Sequence, residues 1–129
     1  MLRDAPASAF LPAVDVERAA AFYAEKLGLR RADSPTIGHE VVFEAGVGTL
    51  LYVYEWPPGT TASHTVAGWS VDDIEAAVEE LRQRGVEFEQ YDRPGLKSDE
   101  LGIVELDEGK TAWFKDTEGN LLMLAEFTE

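Results

Sequence analysis

Aromatic and hydroxyl side chains recur at every second residue in two apolar segments of the chain. Ser8 and Phe10 form one pair, and Tyr52, Tyr54 and Trp56 form the other series. Because alternate residues of a β-strand point to the same face, each series would line one side of a strand. Aromatic faces bind flat or apolar molecules by burial and stacking, and hydroxyl groups can orient polar atoms of such a ligand. Ordinary core packing is the competing interpretation.

Groups for covalent or metal chemistry are scarce. The chain has no cysteine and only two histidines, His39 and His64. Thiolate metal sites, disulfides and a cysteine nucleophile are therefore excluded, and few arrangements of the Ser-His-Asp type remain. The sequence also lacks a phosphate-binding glycine loop and a dinucleotide-binding glycine pattern.

The net charge of −14 restricts the partners of the protein. Such a chain has no electrostatic footprint for nucleic acid, and its summed field attracts cations and repels anionic ligands. No apolar run approaches the roughly 20 residues that cross a bilayer, which predicts no membrane partner. The first residues lack the apolar core of a secretory signal, so we expect a cytoplasmic location.

The segments that would position these side chains belong to an internal sequence repeat. Val14–Ala20 reappears as Val71–Ala77 at an offset of 57 residues, and Gly48–Trp56 is echoed by Gly119–Phe127. Two related halves imply two copies of one small unit that bury their apolar faces together. We predict a single domain over residues 1–129, with the repeats at about 7–57 and 64–127.

Each copy is predicted to contain a strand, a helix and three further strands. Hydrophobic spacing predicts a first helix over Val16–Leu27 with Asp15 as its N-cap. In the second copy Asp72 is the expected N-cap, and Glu75 would complete a capping box. The predicted strands are Ala7–Val14, Leu29–Arg31, Glu40–Ala45, Thr49–Trp56, Thr65–Val71, Val86–Gln90, Gly102–Leu106, Thr111–Lys115 and Leu121–Phe127.

One segment of the second copy, Tyr91–Glu100, has no counterpart in the first. An added loop in a compact repeat often covers or lines a site. A passive surface excursion is an equal alternative at this point. Sequence also leaves open which strand face Trp69 and Trp113 occupy, and we favour core packing or a subunit interface for both.

The doubled unit resembles the vicinal oxygen chelate superfamily, which includes glyoxalase I, bleomycin-resistance proteins and extradiol dioxygenases. Val14–Leu29 carries the pattern Val-Asp-x-x-x-Ala-x-x-Phe-Tyr-x-x-x-Leu-Gly-Leu, and Phe114–Asn120 carries Phe-x-Asp-x-x-Gly-Asn. The resemblance implies an α+β fold of tandem βαβββ repeats forming U-shaped half-barrels, the glyoxalase/bleomycin resistance/dihydroxybiphenyl dioxygenase-like fold. Because this scaffold supports many chemistries, it does not by itself assign a reaction.

The resemblance also implies where a metal would bind. Metal-dependent relatives hold a divalent cation with one side chain near the start of the first strand and one on the last strand of each copy. The corresponding positions are Ser8, Tyr52, Thr65 or Val66, and Met123. Hydroxyl, phenol, aliphatic and thioether groups are not the histidine, glutamine or glutamate that such ions prefer. We therefore predict no metal and no cofactor.

These considerations favour a binding protein. We predict that a small organic ligand, of cationic or aromatic character, lies in an aromatic-lined groove of a homodimer. Bleomycin-resistance members, which are acidic and lack the metal ligands, imply such an arrangement. The predicted ligand-binding residues are Ser8, Phe10, Tyr52, Tyr54, Val66 and Met123.

Enzymatic activity remains an alternative. One version is a divalent-metal-dependent lyase, isomerase or dioxygenase with a metal site shifted towards His64, although a solvated histidine at a strand end is the simpler interpretation. A second version is metal-free acid–base catalysis by Tyr52 or a pocket carboxylate. Sequence alone does not identify the ligand or the number of working pockets, nor whether the repeats pair within a chain or across a dimer.

Overall fold

The described residues form two four-stranded sheets, each accompanied by one helix, and a small two-stranded sheet. The computed structural model describes residues 2–34, 36, 38–59 and 61–128. The chain divides into two compact units, Met1–Thr61 and Ala62–Glu129. The single domain expected over residues 1–129 remains a prediction. Within the described residues, no helix is long and apolar enough to cross a membrane.

The first unit has the predicted order of elements. Its elements are β1 (Ala9–Ala13), α1 (Val16–Ala21, continued by a π-helical turn over Phe22–Lys26), β2 (Arg30–Arg31), β3 (Glu40–Ala45) and β4 (Thr49–Glu55). The sheet order is β1-β4-β3-β2, with β1 parallel to β4 and the other neighbours antiparallel. This arrangement places the first and last strands of the unit side by side.

The second unit repeats that sheet order as β5-β10-β9-β8. Its elements are β5 (Thr65–Ser70), α2 (Ile74–Gln83), β6 (Asp92–Arg93), β7 (Leu96–Lys97), β8 (Val104–Leu106), β9 (Gly109–Lys115) and β10 (Leu121–Phe127). Two expectations need correction. Val86–Gln90 is not a strand, because only Phe88 forms an isolated bridge, to Phe114. The added segment is not irregular, because β6 and β7 pair as a small hairpin.

Each sheet has one face covered by its helix. In the first unit Tyr23 of the π-helical turn contacts the buried Phe43 of β3, with ring centroids 5.9 Å apart. Leu51 and Val53 of β4 lie on the same covered face and are buried. Burial of each such large side chain stabilises the fold by about 1.5–3 kcal/mol. Alternate residues of these strands must therefore lie on the opposite face.

In the second unit polar contacts identify the covered face. Lys110 of β9 forms an ion pair with Glu75 of α2 at 2.9 Å. Its neighbour across the strands, Glu126 of β10, accepts a hydrogen bond from the backbone N–H of Ile74 at 2.9 Å. The buried Phe114 shares this face, because it lies four residues beyond Lys110 on β9.

The two helix N-caps differ in how well sequence located them. Asp15 caps α1 as predicted, because its carboxylate accepts a hydrogen bond from the N–H of Arg18 at 3.0 Å. The prediction of Asp72 for α2 was wrong: Asp73 is the N-cap, and it accepts from the N–H of Ala76 at 3.1 Å. A constant repeat offset of 57 residues had placed the cap one residue early.

The π-helical turn explains this shift. The N-caps Asp15 and Asp73 lie 58 residues apart, whereas Gly28 and Gly85, which both have positive φ after their helices, lie 57 residues apart. The first helix therefore has one more residue than the second between these two landmarks. A π-helical turn holds an extra residue relative to an α-helical turn, and this one lies within that interval.

A tight polar turn joins the last two strands. The Asp116 carboxylate accepts hydrogen bonds from the backbone N–H groups of Glu118 and Asn120, at 2.8 and 2.9 Å. The Asn120 amide also donates to Asp116 at 2.8 Å, and both side chains are buried. Gly119 has a φ of 86°, which favours glycine. This polar turn sets the register of β9 on β10.

Candidate ligand-binding faces

The uncovered face of the first sheet carries a row of aromatic rings. We define the first open face as Phe10, Tyr52, Tyr54 and Trp56. Parallel pairing of β1 with β4 places Phe10 opposite Tyr52, and their rings stack with centroids 4.6 Å apart and planes 15° apart. Tyr54 meets Phe10 edge-on at 6.3 Å and Trp56 at 6.1 Å. The predicted alternation is thus confirmed, and the four rings form a continuous surface.

Two members of this row remain largely accessible. Phe10 is 57% exposed and Trp56 is 49% exposed. Large apolar side chains gain most of their stabilisation from burial, so a contiguous exposed group of them is typical of a binding surface. The first open face therefore presents ring surface that a flat molecule can cover.

One polar contact on this face was missed by sequence reasoning. The hydroxyl groups of Ser34 and Tyr52 lie 3.2 Å apart and share a hydrogen bond. Ser34 belongs to the connection between β2 and β3, and no periodic pattern marks it. The contact fixes the phenol of Tyr52 at one end of the Phe10 stack.

Acidic side chains flank the aromatic row. Cross-strand register places Glu40 opposite Tyr54 and Glu44 opposite Leu50, on the same side of the sheet as the rings. Glu40 accepts a hydrogen bond from the backbone N–H of Gly38 at 2.9 Å. Arg30 of β2 lies opposite Glu44 on the same side. It is therefore the carboxylate of Glu40, beside Tyr54, that favours a cationic group at this face.

The uncovered face of the second sheet differs in composition. We define the second open face as Met123 of β10, Trp113 of β9 and Tyr91, which precedes the hairpin. Met123 lies opposite Trp113 on one side and Gly68 of β5 on the other. A Cβ at Gly68 would come within 2.9 Å of the Met123 carbonyl oxygen and 3.5 Å of its methyl group. Glycine is thus needed where the first sheet carries the ring of Phe10.

Trp113 is held in a defined orientation. Its indole N–H donates to the hydroxyl of Thr65 at 2.9 Å. The ring of Tyr91 meets Trp113 edge-on at 5.4 Å. Trp69 instead lies on the covered face, where its half-buried ring is nearly parallel to the buried Phe114 at 6.4 Å. We had favoured a core or interface position for Trp113, and the sequence did not predict its contacts with Thr65 and Tyr91.

A buried hydroxyl on the same side of β9 is unsatisfied. Thr111 Oγ1 has no hydrogen-bond partner within the described part of the chain. It borders a cavity of about 140 Å³ that Ala125 and Phe127 also line. A buried hydroxyl group without a hydrogen-bond partner lowers the free energy of unfolding by about 1–3 kcal/mol. This hydroxyl therefore destabilises the fold by its lost hydrogen bond.

Two other predicted site residues, Ser8 and Val66, lie outside the ring contacts described above. Ser8 is exposed and precedes β1. Val66 lies at a register shift between β5 and β10, where Thr65 pairs with Leu121 and Ala67 pairs with Leu122. The pairing therefore passes over Val66, which is half-buried.

The histidines do not assemble a metal centre. The ring of His64 contacts the carbonyl oxygen of Thr65 at 3.1 Å, and His39 lies 3.3 Å from Glu55. The one cluster of three possible ligands in the described ranges is acidic: Asp73, Glu75 and Glu126. These carboxylates cap α2, bind its Ile74 N–H or pair with Lys110, so they have structural roles.

Two groups in the second unit have altered proton affinity. Burial, together with the charge of Glu89, raises the pKa of Tyr91 above 10.0 and keeps its hydroxyl protonated at neutral pH. The hydrogen bond and charge of Glu75 raise the pKa of Lys110. Neither change creates a base at neutral pH.

The sequence model of the Glyoxalase/Bleomycin resistance protein/Dioxygenase superfamily matches residues 6–124. The chain belongs to this superfamily. The predicted family and the α+β half-barrel fold are thereby confirmed. No curated protein matches the chain significantly in sequence.

Several solved structures are similar to this chain. TnmS3, described as an antibiotic binding protein from Streptomyces sp. CB03234, is 28% identical with a TM-score of 0.69, covering 92% of each chain. A glyoxalase/bleomycin resistance protein from the same organism is 28% identical with a TM-score of 0.65, covering 92% of this chain and 99% of its own. UcmS2 is 24% identical with a TM-score of 0.72, covering 95% and 98%, and supports the fold alone.

Proposed function

We infer that this superfamily member is a small-molecule binding protein that holds a flat organic ligand against its first open face. The observation that carries this conclusion is the continuous row of four rings, two of which stay about half exposed. Stacking on aromatic faces favours planar ligands. The description of TnmS3, a relative of similar fold, as an antibiotic binding protein supports the same class of function.

We further infer that binding requires no metal ion. The positions that the superfamily uses for metal ligands carry Ser8, Tyr52, Thr65 or Val66, and Met123. The Tyr52 phenol is hydrogen-bonded to Ser34, and the Met123 side chain lies against Gly68. Neutral hydroxyl and thioether groups do not fit a hard divalent cation.

The charge distribution favours a ligand with cationic character at this face. Glu40 and Glu44 lie on the same side of the sheet as the rings, and Arg30 on that side lies opposite Glu44, so the carboxylate of Glu40 beside Tyr54 carries this preference. A cation over an aromatic ring is attracted by about 0.5–2 kcal/mol, and nearby carboxylates add to that attraction. An aromatic amine combines both features.

Isothermal titration calorimetry with 2-naphthylmethylammonium as the probe tests this function. Tyr54→Ala removes a central ring of the row and should weaken binding by about 1–3 kcal/mol. Tyr52→Ala should have an effect of the same size, although it also disrupts the contacts with Phe10 and Ser34. Phe22→Leu, in the π-helical turn, is the matched control and should bind the probe like the wild type.

Two outcomes would contradict the proposal. Equal affinity in wild type, Tyr54→Ala and Tyr52→Ala would exclude the first open face as the binding surface. Absence of binding by the wild type would remove the basis for an aromatic site. Thermal melts of every variant without probe show whether a lost affinity reflects a lost fold.

The enzymatic alternatives have less support. In the described ranges no cluster of three ligand side chains includes His64. Elemental analysis of protein purified without added metal, followed by melting with a chelator, tests the shifted metal site. Stoichiometric metal together with a lower melting temperature on chelation would overturn the metal-free proposal. The cytoplasmic location and the homodimer remain proposals, and light scattering tests the latter.

A further inference from the structure

The hairpin of the second unit has a fixed position beside the open face of its own sheet. The backbone N–H of Ser98 donates to the carbonyl of Tyr91 at 2.9 Å, and the N–H of Tyr91 donates to the Ser98 hydroxyl at 2.9 Å. Ser98 also bridges to Val104 of the edge strand β8. These contacts join the base of the hairpin to the sheet, so it does not behave as a loose excursion.

Three side chains contact one another in succession from the sheet to the hairpin. Trp113 is fixed by its hydrogen bond to Thr65, and the ring of Tyr91 meets it edge-on at 5.4 Å. The guanidinium carbon of Arg93 then lies 5.5 Å from the centre of the Tyr91 ring. Each member positions the next, and the cation over the ring is held by the ring's quadrupole. Arg93 is thereby placed beside the second open face.

The charge of Arg93 is not neutralised in the way that its neighbours are. Lys97 in the same hairpin lies 3.8 Å from Asp92, and Lys115 lies 3.8 Å from Glu89. No carboxylate of the described residues forms an ion pair with Arg93, which is exposed. Its planar N–H groups therefore remain available to an acceptor outside the protein.

The overall charge of −14 does not cancel this local cation. Exposed charges farther away than about 8–10 Å are largely screened at physiological salt. Glu89, whose charge acts on Tyr91, is itself paired with Lys115. A guanidinium on an aromatic ring is preorganised to bind a planar carboxylate through two parallel hydrogen bonds.

We propose that the second open face binds an aromatic carboxylate, with its ring system against Trp113 and Met123 and its carboxylate on Arg93. This inference deepens the proposed function and rests on it, because it assumes that open sheet faces bind flat molecules. The added hairpin is then a specificity element. It supplies a guanidinium held on an aromatic ring, whereas Arg30, on the ring side of the first sheet, lies directly opposite Glu44.

Calorimetry with 2-naphthoate and its neutral analogue 2-naphthamide tests this specificity. Wild-type protein should bind 2-naphthoate about tenfold more tightly, which corresponds to about 1.4 kcal/mol. Arg93→Gln should abolish this preference, measured as the ratio of the two affinities within the variant, and Arg93→Lys should restore part of it. Lys97→Gln, the matched control in the same hairpin, should keep the full preference.

The results separate this inference from the proposed function. If 2-naphthylmethylammonium binding depends on Tyr54 but wild type does not prefer 2-naphthoate, or Arg93→Gln keeps the preference, the inference fails and the proposed function stands. If none of the three probes binds the wild type, both fail. Thermal melts verify folding, because an exposed arginine can be replaced with little loss of stability.

Discussion

The N-cap of α2 offers a sharp test of the structure, because two adjacent aspartates compete for the role. Asp73 accepts a hydrogen bond from the Ala76 N–H at 3.1 Å, whereas sequence favoured Asp72 with Glu75 as its capping partner. Asp73→Ala should lower the free energy of unfolding by about 1 kcal/mol, the usual cost of losing a cap. Asp72→Ala should stay within about 0.5 kcal/mol of wild type, as expected for an exposed residue without that role.

The charge of Asp73 makes a different contribution from its cap oxygen. One carboxylate oxygen from each of Asp73, Glu75 and Glu126 lies within 4.8 Å of the other two. Two such charges repel by about 1 kcal/mol in water, whereas the attraction of a carboxylate to the helix N-terminus is about 0.3–1 kcal/mol. Asp73→Asn keeps an acceptor oxygen and removes both effects. Its stability should therefore remain within about 0.5 kcal/mol of wild type.

Urea denaturation followed by circular dichroism measures these differences. The slope of the transition should be the same in all variants, so that a shift in midpoint reports stability alone. A loss in Asp72→Ala as large as that in Asp73→Ala would refute the observed cap. An Asp73→Asn variant as unstable as Asp73→Ala would refute the balance between repulsion and helix dipole.

Three further predictions concern the second unit. Thr111→Val replaces the unsatisfied buried hydroxyl with a methyl group and should raise the free energy of unfolding by about 1–2 kcal/mol, with denaturant titration as the measurement and a loss as the contrary result. Gly68→Ala forces a Cβ to within 2.9 Å of the Met123 carbonyl oxygen. It should cost about 1–3 kcal/mol in the same assay, and unchanged stability would contradict the close approach. Glu75 raises the pKa of Lys110 above 10.5. Their ion pair therefore stabilises the fold fully below pH 10.5, and this stabilisation is lost as the pH rises through the raised pKa of Lys110. Melts of Glu75→Gln should therefore show a weaker alkaline decline than wild type, and an identical decline would contradict this origin.

Sequence periodicity could predict much of the fold because short-range spacing determines strands and helices. Glu40–Ala45 and Leu121–Phe127 were predicted with the observed bounds. The α2 cap was missed because internal alignment allows only a constant offset. It contains no signal for a π-helical turn, which adds a residue inside one helix without changing its amphipathic face.

The candidate faces could be predicted only in part, for a related reason. Alternation along one strand was enough to place Tyr52 and Tyr54 together, because both lie on β4. The contact of Ser34 with Tyr52 joins residues 18 positions apart, and Ser34 itself lies outside the helices and strands. Arg93 could not be placed either, since its hairpin has no counterpart in the first copy from which to infer its position.

The same sheet topology presents different chemistry in the two units, and the difference can be traced to one pair of equivalent positions. Phe10 lies opposite Tyr52 in the first sheet, whereas Gly68 lies opposite Met123 in the second. A ring at the second position is excluded, because even a Cβ there approaches the Met123 carbonyl oxygen. Trp113 and the hairpin instead supply the aromatic surface, together with the guanidinium of Arg93 on the Tyr91 ring, whereas Arg30 on the first side lies opposite Glu44. A ligand suited to one face should therefore bind the other poorly, so that Tyr54→Ala and Arg93→Gln should affect different probes.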